Sequence, residues 1–442
     1  MMLLGIILLQ GSENKMQKKM HILITDYHCA SNRGDAAILE GIIHSLGDCL
    51  PDAVITVMTG YPESAEIINQ MNSVKQKMVP FRWVGIKKNI ASLYLLIGAF
   101  FYKRGIDLPG MKMLIKRLSL ETYLDADLII STGGGFLNDF YTPENLGRFW
   151  GLYFAKMLGK PVGIYAQSIG PLNKPFYRWI AQYVLNKVDL ITLRDRESKE
   201  VLNLLGVIKP PIYVVTDAAF NIDLHNEKTL QSKRLESNLI DSNNRLKVSV
   251  SVRKWAYYER ENGHEEYINA VAKLIDWLIL EQKAQVIFAS TCTGFAGYPN
   301  DDRVIAHEVI SHMGHAVKRN PAILYGEYTP QELSHFYGMM DLHIGTRMHS
   351  NILAMLSGTP VVAIQYEFKT KGLMELFALE DYILNINDIT EDSLICLVKK
   401  ALEQKSYIKD QINNNLPGIK KESRKPAKLI KELIYAKRRL KS

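Results

Sequence analysis

The amino-acid sequence predicts an α/β protein built of two doubly wound, parallel-sheet lobes facing each other across a cleft. Three observations carry this. Strand-like runs alternate with helical ones along most of the chain, the rhythm of parallel strands joined by crossover helices. The 442 residues, 47% of them hydrophobic, exceed what one core ordinarily holds. Between Asn221 and Arg245 the composition turns to Asn, Ser, Lys, Glu and Asp without apolar periodicity, which marks a boundary between lobes.

Residues 1–19 are expected to lie outside the folded core. Met1 to Gln10 is apolar for only about ten residues and lacks a basic flank or a small-residue cleavage site, so neither a signal peptide nor a span is predicted. The working start falls at Met16 or Met20. The first lobe, 20–222, opens with strand HILITDY, polar loop HCASNRGD, helix AAILEGIIHSL and strand AVITVMT. The apolar stretch Ile90 to Tyr102 is too short for the ~20 residues a bilayer requires. Lys87, Lys88, Lys103 and Arg104 bracket it, so it reads as either a buried helix or one lying on a membrane. The lobe continues through strand DLIIST, loop GGGFLNDFYTPEN, a helix to Leu158, strand PVGIYAQS, a helix to Asn186, strand LITLRDRES, another helix and strand IYVVTDAA.

After the linker 223–245, the second lobe, 246–390, repeats the rhythm. It reads strand LKVSVSVR, helix YINAVAKLIDWLILEQ, strand AQVIFAS, helix DRVIAHEVISHM, strand AILYG, helix PQELSHFYGM, strand LHIGT, a helix to Leu356 and strand PVVAIQY. Residues 391–442 are expected to be a basic helical tail. The net charge is +8, and residues 405–442 hold 12 Lys or Arg against 3 acids. Leu429, Ile430, Leu433 and Ile434 form one apolar stripe there, which suits an anionic leaflet or, equally, a solvated helix. With Tyr435 as the basic run's one aromatic in its helix and no binding motif, a nucleic-acid partner is not expected. Cys29, Cys49, Cys292 and Cys396 are too widely spaced for a disulfide framework or a CxxC clip, which fits a reducing cytoplasm.

Ligands of open parallel sheets collect beyond the carboxyl ends of the strands, so the cleft is the expected site. Four segments put suggestive residues there. Asn32, Arg33, Gly34 and Asp35 open a helix, with Asp35 placed as its N-cap. Gly133, Gly134 and Gly135 allow close backbone approach, with Asn138 and Asp139 following. They match neither the GxGxxG fingerprint nor a Walker loop. Arg253 closes a strand facing the cleft. Arg347 and His349 sit at a helix N-terminus, where free amides and the dipole favour an anion that Arg347 can grip bidentately and beside which His349 holds its proton. Arg194 and Arg196, interleaved with Asp195 and Glu197, read instead as structural ion pairs. His307 and His312 in HExxxH are about 140° apart on a helix and do not make a zinc site, which needs HExxH. Asp125 and Asp127 precede a strand, the wrong end of the sheet for a ligand. No metal site or cofactor is expected.

Together the segments NRGDAAILEGI, STGGGFLNDFY, YAQSIGP, LRDRES, STCTGF with NDDR, GTRMHS and QYEFKTKGLM resemble the polysaccharide pyruvyl transferase family, in its bacterial colanic-acid type, over most of residues 20–380. The resemblance implies two Rossmann-like lobes of the glycosyltransferase-B kind. It implies phosphoenolpyruvate as donor, a ketal on two sugar hydroxyls as product, and a lipid-linked oligosaccharide of an exopolysaccharide or capsule as acceptor, reached at the inner face of the plasma membrane. By the same resemblance Arg347 and His349 fall on a donor motif, Arg253 on a second donor arginine, Asp139 on an acid after the glycine loop, and Lys369 on a lysine of the YExK segment. His349 is then the general acid and Asp139 the base. Two other readings fit the same architecture: a nucleotide-sugar glycosyltransferase, although Ser350 to Gly358 lacks the acid that holds a ribose, and a non-catalytic partner in a membrane assembly.

Overall fold

The computed structural model describes residues 19–69, 74–77, 86–141, 144–224, 240, 245–315 and 321–439. The expected extension before Lys19 and most of the 223–245 linker lie outside the described residues. The predicted α/β fold of two parallel sheets is what the chain adopts. The first sheet holds β1 (His21–Tyr27), β2 (Val54–Thr59), β3 (Val74–Lys77), β4 (Leu128–Ser131), β5 (Gly134–Leu137), β6 (Val162–Ile169), β7 (Leu190–Leu193) and β8 (Ile212–Val214). Its order is β3-β2-β1-β4-β6-β7-β8, with β5 pairing β6. The second holds β9 (Lys247–Ser251), β10 (Gln285–Phe288), β11 (Ala322–Ile323), β12 (Leu342–Gly345), β13 (Val361–Gln365) and β14 (Ile383–Asn385), in the order β11-β10-β9-β12-β13-β14. Every residue of β6 is buried, as a strand covered on both faces by helices must be.

The glycine segment, expected to be loop throughout, carries β5. The eight residues of β6 are long enough to pair twice: Val162–Ile164 with β4, then Gln167–Ile169 with β5. Gly134, at φ +134°, turns the chain onto the second stretch, a conformation open to glycine and strained for other residues.

Helices α1 (Arg33–Cys49), α2 (Pro62–Ile68), α3 (Ile86–Tyr102), α4 (Met111–Arg117), α5 (Glu121–Asp125), α6 (Glu144–Met157), α7 (Pro175–Leu185) and α8 (Arg196–Leu204) belong to the first lobe. The second lobe has α9 (Gly263–Leu280), α10 (Asp302–His312), α11 (Pro330–Gly338), α12 (Met348–Leu356) and α13 (Phe368–Leu376). The tail forms α14 (Glu391–Glu403), α15 (Lys405–Ser423) and α16 (Lys425–Arg439), and it divides between the lobes. Helix α14 packs on α9 and β13, whereas α16 packs on α1, β6 and β7. The stripe expected to face lipid or solvent therefore closes a core: Ile430 and Ile434 are buried, and Leu429 and Leu433 pack beside them. Burying two aliphatic side chains on protein and half-burying two more takes most of the stripe away from any leaflet.

The lobes are also clamped at the start of α1. Arg33, 1% exposed, sends its guanidinium into the second lobe, to the Glu327 carboxylate, the Tyr328 carbonyl and, at 3.3 Å, the Thr293 hydroxyl. Its amide donates to the Thr291 carbonyl at 2.7 Å. Replacing Arg33 by Met keeps the volume but removes one of the two arginines on Glu327, which Arg303 and Thr293 still hold, and leaves the Ala30 and Tyr328 carbonyls without their guanidinium donor. The expected loss is about 2 kcal/mol, read as a lower urea midpoint at unchanged slope. An unchanged midpoint would show that the clamp is not what holds the lobes.

Candidate functional site

The candidate residues gather where both sheets reverse their winding. The first sheet winds from β1 through β2 to β3, then restarts with β4 on the other side of β1. The second winds from β9 through β10 to β11 and restarts with β12 beside β9. Such switch points open a crevice beyond the carboxyl ends of the two central strands. The four loops at the two crevices carry Asn32–Asp35, Gly133–Gly135, Arg253 and Arg347–His349. A cavity of about 310 Å³ lies among them, within the range of small-molecule sites. Its walls include Asn32, Asp35, Gly134, Gly135 and Arg194 from one lobe and Arg253, Arg347, His349, Glu367 and Lys369 from the other. Phe140 and Tyr257, ring centroids 5.3 Å apart, meet across it. A second cavity, about 560 Å³, shares Arg194, Met348 and Lys369 with the first.

On the first lobe, Asn32 rather than Asp35 caps α1: its side chain accepts from the Gly34 amide at 3.0 Å. The helix begins three residues earlier than a cap at Asp35 requires, which puts Asp35 in its first turn, facing the cavity. The carboxyl is buried, and its Oδ2 has no hydrogen-bond partner among the described residues. Burial pushes it up to about 7 against the pull of Arg194, Lys369, Arg347 and Arg148. Gly34 faces His349 so closely that a Cβ there would lie 2.3 Å from Nδ1 of the ring.

The three glycines divide. Gly133 faces inward, where a side chain would meet Ile38 and the Tyr165 carbonyl, whereas Gly134 and Gly135 line the cavity. Asp139 is not among the residues that line the cavity. Its Oδ2 accepts from the Asn173 amide at 2.5 Å, and its own amide donates to the Pro171 carbonyl at 2.9 Å.

On the second lobe, a buried network fixes the turn between β12 and α12. The Ser350 hydroxyl donates to the Arg347 carbonyl at 2.7 Å, so the His343 Nε2–H must donate to Ser350 at 2.9 Å. His343 Nδ1 then accepts from the Ser249 hydroxyl at 2.9 Å. Burial pushes His343 down to about 3, so this ring stays neutral and structural. Arg347 was expected to offer a bidentate grip to an anion. Its Nε and Nη2 instead meet both oxygens of buried Asp302, at 3.1 and 2.6 Å. Three N–H groups remain, two on Nη1 and one on Nη2, and they form the end-on fork a ligand could use. Burial would pull the guanidinium down, but Asp302 keeps it charged, well above its ordinary value. No side-chain hydrogen bond caps α12.

His349 lies 3.5 Å from Asp217 Oδ2, within ion-pair range but long for a hydrogen bond. Burial is the main influence on His349 and lowers it below its ordinary value. Arg194 and Lys369 push the same way, and Asp217 opposes them. The protein groups around the ring thus disfavour its proton, whereas the expectation from the sequence concerns the ring beside a bound anion. Asp217 would be raised by burial, yet Arg194 and His349 hold it well below the usual carboxylate range.

Arg194 corrects another expectation. It does not pair with its sequence neighbours but reaches Asp217 at 2.6 Å and the Ser168 hydroxyl at 2.8 Å, and it faces the cavity. Asp195 caps α8 instead. Arg253 rests on aromatic faces, 4.1 Å from the Tyr366 ring centroid and 5.2 Å from that of Trp255. Lys369, in the first turn of α13, pairs with Glu367. The rejected zinc pattern disperses: His307 bonds the Tyr325 hydroxyl and His312 the Asn269 side chain, each at 2.7 Å. Asp127 accepts from the His21 amide at the amino end of the sheet.

A family model described as polysaccharide pyruvyl transferase matches residues 32–367. The amylovoran biosynthesis protein AmsJ of Erwinia amylovora is 30% identical over 414 residues, covering 89% of this chain and 94% of that protein. Among solved structures, the UDP-GlcNAc 2-epimerase of Neisseria meningitidis bound to UDP-GlcNAc superimposes with a TM-score of 0.59 at 10% identity, over 94% of this chain and 100% of that one. HepE of Anabaena in complex with UDP gives 0.57 at 14% identity, over 94% and 100%. At these identities the likeness is one of fold, the two-lobed glycosyltransferase-B architecture.

Two substitutions probe the His349 setting. Asp217→Asn removes the one charge that favours imidazolium and frees Arg194 to oppose it, so the His349 pKa should fall further, as read by imidazole NMR titration. Gly34→Ala should displace the ring and shift its resonances, at a cost of about 1–3 kcal/mol in stability, as overpacking a buried site does. If neither moves the His349 signal, Asp217 and Gly34 do not set that ring's environment.

Proposed function

The chain belongs to the polysaccharide pyruvyl transferase family, and we propose that it moves the enolpyruvyl group of phosphoenolpyruvate onto two hydroxyls of a sugar as a cyclic ketal, releasing phosphate. The observation that carries this reading is the convergence of Arg253, Arg347 and Lys369 on a cavity that also holds His349 and the carboxyl of Asp35, whose Oδ2 has no hydrogen-bond partner among the described residues. Phosphoenolpyruvate carries a carboxylate and a phosphate on adjacent atoms and calls for two cationic grips close together. The end-on fork of Arg347, the amides opening α12 and the Arg253 guanidinium suit them. A relative named for amylovoran biosynthesis supports an exopolysaccharide acceptor, which we take to be lipid-linked and met at the inner face of the plasma membrane.

The acid and base follow from how the environment separates two ionisations, His349 downward and Asp35 upward. This reverses the role first assigned to His349 and replaces Asp139, whose carboxylate is engaged by Asn173. Asp35 donates its proton to the methylene carbon of the donor, and C2 takes on oxocarbenium character. A sugar hydroxyl attacks C2 and gives its proton to His349, which Asp217 steadies as it becomes cationic. Phosphate leaves with the C2–O electron pair, the second hydroxyl closes the ring, and its proton departs with the phosphate. Solvent then exchanges the protons that reset Asp35 and His349.

The donor is tested by thermal unfolding with phosphoenolpyruvate against UDP and GDP. Ligand at 100 times its dissociation constant should add about 2.7 kcal/mol, and Arg347→Ala should abolish the effect. Stabilisation by a nucleotide alone would favour a nucleotide-sugar glycosyltransferase.

The roles are tested by the pH dependence of kcat/KM. Turnover needs His349 neutral and Asp35 protonated, so the rate should rise as pH climbs through the lowered His349 value and fall above about 7, where Asp35 ionises. Asp35→Asn and His349→Gln should each cost about 10²- to 10⁴-fold. The first should remove the alkaline limb and the second the acid limb. The opposite pairing would return His349 to the role of acid.

A further inference from the structure

Helix α3 does not bury itself all round. Leu95 and Ala99 enter the core of the first lobe, but Ile90, Leu93, Ile97 and Phe100, spaced three and four residues apart on one stripe, are 41 to 63% exposed. Helix α7 repeats the pattern. Phe176, Trp179 and Tyr183 are 45 to 61% exposed, with the Trp179 and Tyr183 rings stacked 6.0 Å apart. Helix α6 lies between α3 and α7 in contact with both, so the two stripes belong to one helical layer on one face of the first sheet. Large exposed apolar areas of this kind mark a binding surface.

The charge around the stripes says what binds. Residues 89–117 contain five Lys or Arg and one acid, Asp107, which is paired with Lys112 at 2.5 Å. Residues 172–187 contain Lys174, Arg178 and Lys187 and no acid. Protein interfaces are depleted in lysine at their cores. Aliphatic and aromatic side chains rimmed by many lysines and arginines suit the headgroup region of an anionic bilayer, with the helices lying in its plane. No helix among the described residues is long and apolar enough to cross one.

We propose that the α3–α7 layer is a docking surface for an anionic lipid bilayer, and that the first lobe rather than the basic tail holds the protein to the membrane. The layer adjoins the cleft. Helix α7 starts just beyond Asn173, whose amide donates to Asp139, and the next residue, Phe140, lines the cavity. A docked protein would hold the cleft beside the leaflet, where a lipid-anchored acceptor ends. That last consequence rests on the proposed acceptor; the docking itself does not.

The test is flotation of the full-length protein with vesicles of phosphatidylcholine alone and of phosphatidylcholine with phosphatidylglycerol. Wild type should float with the anionic vesicles and release at high salt. Leu93→Glu with Trp179→Ala should cut the partition coefficient roughly tenfold or more, with the stabilisation by phosphoenolpyruvate intact. Lys421→Glu with Lys428→Glu, two exposed tail positions, should leave partitioning within about threefold of wild type. The proposal is overturned if wild type ignores anionic vesicles, if the Leu93/Trp179 variant floats as wild type does, or if the tail variant abolishes binding. Because the readout is partitioning alone, its failure is distinct from a failure of phosphoenolpyruvate to stabilise the protein.

Discussion

The structure of the cleft depends on one electrostatic constraint: several cations must stand close together, out of bulk water, before any anion arrives. A buried charge without a partner costs several kcal/mol, so each is given one of its own. Arg347 has Asp302, Arg194 has Asp217, and Lys369 has Glu367. Arg253 lies against the faces of Tyr366 and Trp255, which attract a guanidinium without neutralising it. The carboxylates use up part of each donor set and leave a defined remainder, as with the three N–H groups of Arg347. What faces the cavity is therefore a set of rigid, partly satisfied cations whose directions are fixed in advance. Preorganisation of this kind is what the proposed transfer would draw on to stabilise developing charge.

The same constraint explains why the two titrating groups separate. His349 stands among cations and loses affinity for a proton. Asp35, deeper and without a hydrogen-bond partner, gains it. Neither shift needs a ligand. Both come from burial at the meeting of two switch points, where each sheet delivers two loops and each lobe closes off water from the other. The Arg33 clamp and the Phe140–Tyr257 contact keep those loops together.

Much of this was legible in the sequence, for identifiable reasons. Parallel buried strands are long apolar runs, and the carboxyl-end loops carry the polar residues between them, so the two lobes and four of the cleft segments could be read from periodicity alone. Partners from other loops could not. Asp217 and Asp302 sit in VVTDAA and NDDR, strand-end and helix-start segments like those that were singled out, but nothing local says that they face Arg194 and Arg347. Arg194 was misread because its nearest acids in the sequence, Asp195 and Glu197, are not its nearest in space. Asp35 reads as a cap when the helix is started at the apolar run AAILEGI, one turn after its true start, and a shift of that size decides whether a carboxylate serves backbone amides or a cavity. The tail's apolar stripe was real, and only the fold could say that the first lobe covers it.

That tail gives the molecule a second tether. The chain passes from the first lobe to the second after Asn221, and α15 and α16 carry it back, with the Thr216 hydroxyl bonded to the Ile419 carbonyl at 2.8 Å and Arg424 to Asn221 at 3.3 Å. A body joined by one strand of chain can swing in any direction. Joined at two points, it can turn only about the line through them. The return through α15 and α16 is fixed on the first lobe at Thr216 and Asn221, so any relative motion of the lobes must carry this second crossing with it or break those bonds.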